Sequence, residues 1–213
     1  MNTPNTLSLI RILIVPFMMF FFMADFLGVY GKIIAVVLFI TAAITDLLDG
    51  KIARKTGQVT DLGKLLDPIA DRLLYNVGMA LIVVYGIVPS PYGIIGMIIL
   101  LFRDFIIDGI RQIAASKGVV IQAVKSGKIK AILHYTHIPM FMLLAATRQF
   151  SGAFFDVFNQ VLFIIALVVF ALATIVTIWS ACDYFLRSKS LILTDGNKQN
   201  NKKEEIINKE DEE

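Results

Sequence analysis

The chain has one cysteine and two histidines among 213 residues, and no glutamate before position 204. The lone Cys182 excludes an intramolecular disulfide, and its place in an apolar run reads as a small buried hydrophobe. Scarcity of histidine and cysteine disfavours a zinc centre, since neither residue falls near the acidic cluster met below. Charge is also scarce. Charged residues make up 17% of the chain against 57% hydrophobic ones, well above the roughly 45–50% apolar content of a soluble domain. A water-soluble globular fold is thereby excluded, and the sequence reads as an integral membrane protein.

In windows of about 20 residues, the length that crosses a bilayer core at about 1.5 Å per residue, six candidate spans emerge. They cover 9–27, 33–53, 65–85, 92–114, 129–146 and 161–185. The first is too apolar for too long, and has no small-x-small cleavage site, to read as a signal peptide. Cations set the topology. Lys51, Arg54, Lys55 and Lys64 follow the second span; Lys117, Lys125, Lys128 and Lys130 follow the fourth; Arg187 and Lys189 follow the sixth. The turn VPSP between the third and fourth spans carries no charge. By the positive-inside rule both termini are cytoplasmic. The expected fold is therefore an all-α membrane protein of six transmembrane helices, with a membrane domain over 1–187. Residues 188–213, rich in Lys, Asn and Glu, read as a mobile or marginally helical cytoplasmic tail. The net charge of +3 needs no nucleic-acid partner, because topology accounts for it.

Against this background the stretch DLLDGKIARKTGQVTDLGKLLDPIADR, residues 46–72, concentrates five aspartates. At about 100° per residue, positions 46, 49, 50 and 53 share an arc of about 100° on the second helix. Gly63, Asp67 and Asp71 step by four along the third. Two acidic faces therefore meet at one membrane depth, with Asp61 outside them as a turn or helix-start residue. Each carboxylate at mid-bilayer costs about 2.5–3.5 kcal/mol, so something positive must sit among them. Lys51 and Lys64 fall on other helical faces. Oxygen-only ligands favour Mg²⁺ or Mn²⁺, and four carboxylates suit two ions that clamp the oxygens of a phosphate displacement. Gly50 and Gly63 fit close approach of a ligand or backbone.

Asp46, Asp49, Gly50, Ala53, Arg54, Gly63, Asp67 and Asp71 match every position of the pattern of the CDP-alcohol phosphotransferases, which this sequence resembles. Over residues 5–187, with LGKLLDPIADR and TPNTLSLIRILIVPF, it is similar to the bacterial CDP-diacylglycerol–glycerol-3-phosphate 3-phosphatidyltransferases within that family. The resemblance implies a six-helix enzyme of the cell membrane, commonly a homodimer, that moves a phosphatidyl group from CDP-diacylglycerol to glycerol 3-phosphate and releases CMP. It implies that Asp46, Asp49, Asp67 and Asp71 hold two Mg²⁺ or Mn²⁺ ions and that Asp71 is the general base. Asp49, Gly50, Ala53, Arg54 and Gly63 would lie against the CDP moiety. Asn5 and Ser8, a polar edge entering the same leaflet with Arg11, fit either a nucleotide contact or interfacial capping.

The acceptor site is read from other residues. In LLFRDFIIDGIRQIAASKG the charges Arg103, Asp104, Asp108 and Arg111 occupy only the cytoplasmic half of the fourth span. Arg111 with Lys125 and Lys128, and Arg103 beside them, would bind the acceptor's phosphate; positive-inside topology and Arg–Asp pairing are the plainer explanation of the same cations. The related enzymes have Arg-Glu-Phe where this chain has Arg103, Asp104 and Phe105. His134 and His137 have no visible partner and read as structural. Other acceptors within the family (inositol phosphate, serine, a second lipid) stay open, as do a cation transporter, which would place its acids nearer mid-membrane, and a structural adaptor.

Overall fold

The computed structural model describes residues 3–56, 61–116 and 125–210. Within these, side chains are described for Thr6, 8–45, Gly63, Leu66, 68–116, 129–186 and Ser188. Among the described residues there are six α-helices: α1 (Thr3–Met23), α2 (Gly28–Thr56), α3 (Asp61–Val84), α4 (Tyr92–Ser116), α5 (Lys125–Thr147) and α6 (Ala153–Glu210). A single 3-10 turn, Asp25–Leu27, joins α1 to α2, and among the described residues there is no strand.

Each expected span falls within one helix, the first running on through the 3-10 turn and the third one residue past its helix into the following turn. The helices overrun most of the apolar windows, because backbone hydrogen bonding continues until a turn residue or a charged end stops it. Among the described residues three segments are long and apolar enough to cross a membrane: Asp25–Thr45, Ile129–Thr147 and Ala153–Leu186. A shorter apolar segment is Ser8–Met23. The windows in α3 and α4 are interrupted by the charges that matter most below.

Sequence chemistry explains the ends. Gly86 adopts φ +62°, and its N–H bonds Val83 O at 3.0 Å while Ile87 N–H bonds Ile82 O at 2.9 Å. That pair closes α3 as a Schellman motif, which needs the left-handed conformation glycine tolerates. Pro16, Pro68 and Pro139 lie inside helices, as membrane helices allow when neighbours satisfy the freed carbonyls. α6 continues as helix to Glu210, well beyond the last apolar residue of its candidate span.

The core lies between the helices. Phe39 of α2, Leu74, Met79 and Ile82 of α3, and Ile138, Phe141 and Met142 of α5 are fully enclosed. α3 comes close to both its neighbours at Gly78, where an added Cβ would stand 2.7 Å from Ile138 and 2.9 Å from the Phe39 ring. Large apolar side chains such as Phe102, Phe105, Phe154 and Trp179 face outward, as a lipid-facing surface requires. Cys182 is exposed, not buried as its composition suggested: on α6 it falls beside the buried stripe Thr177, Ser180 and Tyr184 and not within it.

Candidate active site at the charged end of the bundle

Helix register sets Asp46 and Asp71 at similar distances from one contact. Phe39 of α2 packs against Gly78 of α3. Seven residues onward along α2 lies Asp46, and seven residues back along α3 lies Asp71. At about 1.5 Å per residue each lies about 10 Å from that contact, in the same direction for two helices running oppositely. Asp46, Asp49, Gly50, Ala53 and Arg54 are on helical backbone of α2, and Asp67 on α3; their side chains lie outside the described residues. So do those of Asn5, Lys125 and Lys128. Among the described residues no three His, Cys, Asp or Glu side chains converge on a metal-sized site.

Asp71 is described, and it is half-buried. Its Oδ1 accepts a hydrogen bond from the Tyr135 hydroxyl of α5. The charges of Lys130, Arg11 and Asp104 act on it through the protein interior. Ser8 and Arg11, on α1, are both fully buried, so the polar edge read from the N-terminus points inward. Gly63 is buried as well.

One helical turn beyond Asp71, a second acid organises the bundle. Asp104 of α4 accepts from three donors: Lys130 Nζ at 2.7 Å, Arg103 Nη1 at 3.0 Å and the Tyr75 hydroxyl of α3. Lys130 Nζ also sits 4.9 Å from the Tyr75 ring centroid, within cation–π range. Arg103 Nη2 donates to Ser180 Oγ of α6 at 2.9 Å. This one carboxylate therefore ties α3, α4, α5 and, through Arg103, α6. A buried acid with three donors avoids the penalty of an unpaired charge in a medium of low polarity.

Arg103 was expected at the acceptor's phosphate; in the structure both its terminal nitrogens are engaged inside the protein, with Asp104 and Ser180. Arg111 differs: it is exposed, with its guanidinium 5.8 Å from the Tyr184 ring of α6. Lys130 was counted among loop cations, yet it lies in α5 and is only 4% exposed. Arg72, next to Asp71, makes a two-pronged ion pair with Asp108 of α4.

The histidines, expected to be structural, are both buried, and each makes one hydrogen bond within the bundle. Thr177 Oγ1 donates to Ala173 O at 2.7 Å, so at 3.4 Å from His134 Nε2 it accepts. His137 Nδ1 faces Leu133 O at 2.9 Å and must donate to it. That leaves His134 Nδ1 and His137 Nε2 buried with no hydrogen-bond partner among the described residues. His134 stacks on Tyr75 with centroids 6.0 Å apart.

Sequence reasoning missed Tyr75, Lys130 and Tyr135. A signal was present: Lys130, His134 and His137 step by four and three, a polar stripe on an otherwise apolar helix, and Tyr75 follows Asp71 by four.

Comparison with known proteins follows the same residues. The profile of the CDP-alcohol phosphatidyltransferase family matches residues 1–182. A Bacillus subtilis protein named CDP-diacylglycerol–glycerol-3-phosphate 3-phosphatidyltransferase is 37% identical over 139 residues, covering 61% of this chain and 70% of its own. Proteins of the same name from Rickettsia felis and Rickettsia typhi are each 30% identical, over 179 and 189 residues; these cover 84% and 89% of this chain and 92% and 98% of theirs. The chain thus belongs to the CDP-alcohol phosphatidyltransferase family.

Proposed function

We propose that this protein transfers the phosphatidyl group of CDP-diacylglycerol to glycerol 3-phosphate, giving phosphatidylglycerophosphate and CMP in anionic phospholipid synthesis. The observation that carries the reading is the eight-residue pattern from Asp46 to Asp71, complete in a chain whose relatives bear that enzyme's name over most of their length. Support for the site comes from the helix register that levels Asp46 with Asp71, and from an exposed arginine at the same end of the bundle.

Enzymes of this family generally use divalent metal ions, and the donor set fits one. Asp71 presents a carboxylate already oriented by Tyr135, and Asp46, Asp49 and Asp67 add only hard oxygen ligands. These four would hold Mg²⁺ or Mn²⁺, two ions in our reading. When bound, the metal supplies charge neutralisation at the phosphates and makes the acceptor hydroxyl more acidic. Asp71 takes the proton of that hydroxyl as its oxygen bonds the lipid-side phosphorus; the bond from phosphorus to the bridging oxygen breaks, and CMP leaves. Gly50, Ala53 and Gly63 leave room for the nucleotide, with Asp49, Asn5 and Ser8 beside it, and Arg54 meets its pyrophosphate. Arg111, Lys125 and Lys128 hold the acceptor's phosphate, since Arg103 is committed to Asp104 and Ser180.

The wider arrangement in this reading is six spans in the plasma membrane with both termini and the site on the cytoplasmic side, a homodimer, and a charged tail beyond residue 187. The test is purified protein in detergent with CDP-diacylglycerol and Mg²⁺ or Mn²⁺, following CMP release against a panel of acceptors. Release should depend on glycerol 3-phosphate, and Asp71→Asn should lower it at least about 100-fold. Full activity in the variant would refute the mechanism; preference for inositol phosphate or serine would refute the acceptor.

A further inference from the structure

Tyr135 stands outside the eight-residue pattern, on a different helix, yet its hydroxyl donates to Asp71 Oδ1. Its ring lies 6.2 Å from that of Phe39 at an interplanar angle of 60°, so α2, the helix bearing Asp46 and Asp49, supports the tyrosine from the side. A carboxylate turns easily about its last bond. Tying one oxygen fixes its plane and with it the direction of the other oxygen's lone pairs. We propose that Tyr135 is a positioning residue for Asp71, holding one carboxylate oxygen so that the other is presented to the divalent cation and the acceptor hydroxyl. The inference rests on the role given to Asp71 above.

Phenylalanine at 135 would keep the ring against Phe39 and remove only the donor. The test titrates the full-length protein in detergent with Mn²⁺ alone, reading free Mn²⁺ by electron paramagnetic resonance. Wild type is compared with Tyr135→Phe, Asp71→Asn, their double variant and Tyr75→Phe. Tyr135→Phe should weaken Mn²⁺ binding about tenfold, the usual effect of losing a hydrogen-bond partner of a metal ligand. Asp71→Asn should weaken it further, and the double variant should be no weaker than Asp71→Asn, because the tyrosine acts through the aspartate. Tyr75→Phe also deletes a hydroxyl from the same network, but one that serves Asp104, and should stay within about twofold of wild type if the effect is specific to Asp71. In turnover, Tyr135→Phe should lower kcat while leaving the KM for CDP-diacylglycerol near that of wild type.

Unchanged Mn²⁺ affinity in Tyr135→Phe, an equal loss in Tyr75→Phe, or a loss that adds to that of Asp71→Asn would overturn the proposal. So would wild-type protein that binds no Mn²⁺. Wild type that binds Mn²⁺ with the expected pattern of losses but releases no CMP would instead overturn the transferase reading and leave the Tyr135–Asp71 link in place.

Discussion

Asp71 and Asp104 have different surroundings. Asp71 meets one described hydroxyl donor and is half-buried, whereas Asp104 is enclosed by a lysine, an arginine and a tyrosine. In the proposed reading the first offers its remaining coordination capacity to a ligand, while the second uses its own within the fold. Lys130→Met should therefore destabilise the protein by about 3 kcal/mol, the usual result of stranding one partner of a buried ion pair. Asp104→Asn should do likewise, since it leaves Lys130 and Arg103 without their anion. Thermal unfolding in detergent of both variants and the double variant should give a coupling energy of at least about 1 kcal/mol; independent, additive losses would show that the pair is not the unit described. Only part of this was legible at residue level: Arg–Asp pairing stood as an alternative to a phosphate contact for Arg103, and Lys130 read as a loop cation, because sequence reports that a cation is present but not which anion faces it.

Among elements, α3 matters most. It carries Asp71, Arg72 and Tyr75 within five residues and faces α5 and α4 through them, and its other end packs on Phe39 and Ile138 at Gly78. A side chain at position 78 would press those two buried residues apart and shift the helix that delivers Asp71. Gly78→Ala should lower stability by about 1–3 kcal/mol, the range for overpacking a filled core, and lower CMP release with it. Gly109, around which a Cβ would meet open space, is the matched control: Gly109→Ala should be neutral or slightly stabilising in a helix. A similar loss in both variants would count against the packing argument. Helix existence and approximate length were legible, because apolar runs near 20 residues allow little else in a membrane. Ends were less so: α2 and α5 extend past their apolar windows through charged residues, which hydropathy penalises although the backbone continues to hydrogen-bond.

For the whole molecule, the proposed alternation of six spans makes a prediction that needs no active-site residue. In a Cys182→Ser background, Ser90→Cys should react with a membrane-impermeant maleimide added to intact cells or spheroplasts, and Asn200→Cys only after permeabilisation; the reverse pattern would invert the proposed orientation. Removing Cys182 is needed because its side chain is exposed on α6. By itself the sequence determined that the chain is a helical membrane protein and, through the spacing of eight residues, its family; periodicity and composition are local properties and survive without knowledge of neighbours. Only the tertiary structure decided which charges face each other. It turned Arg11 and Lys130 inward toward Asp71, committed Arg103 to Asp104 and Ser180, left Arg111 exposed, and brought Tyr135 from a distant helix onto Asp71. Those pairings depend on helix rotation and contact between segments tens of residues apart, which no local pattern encodes.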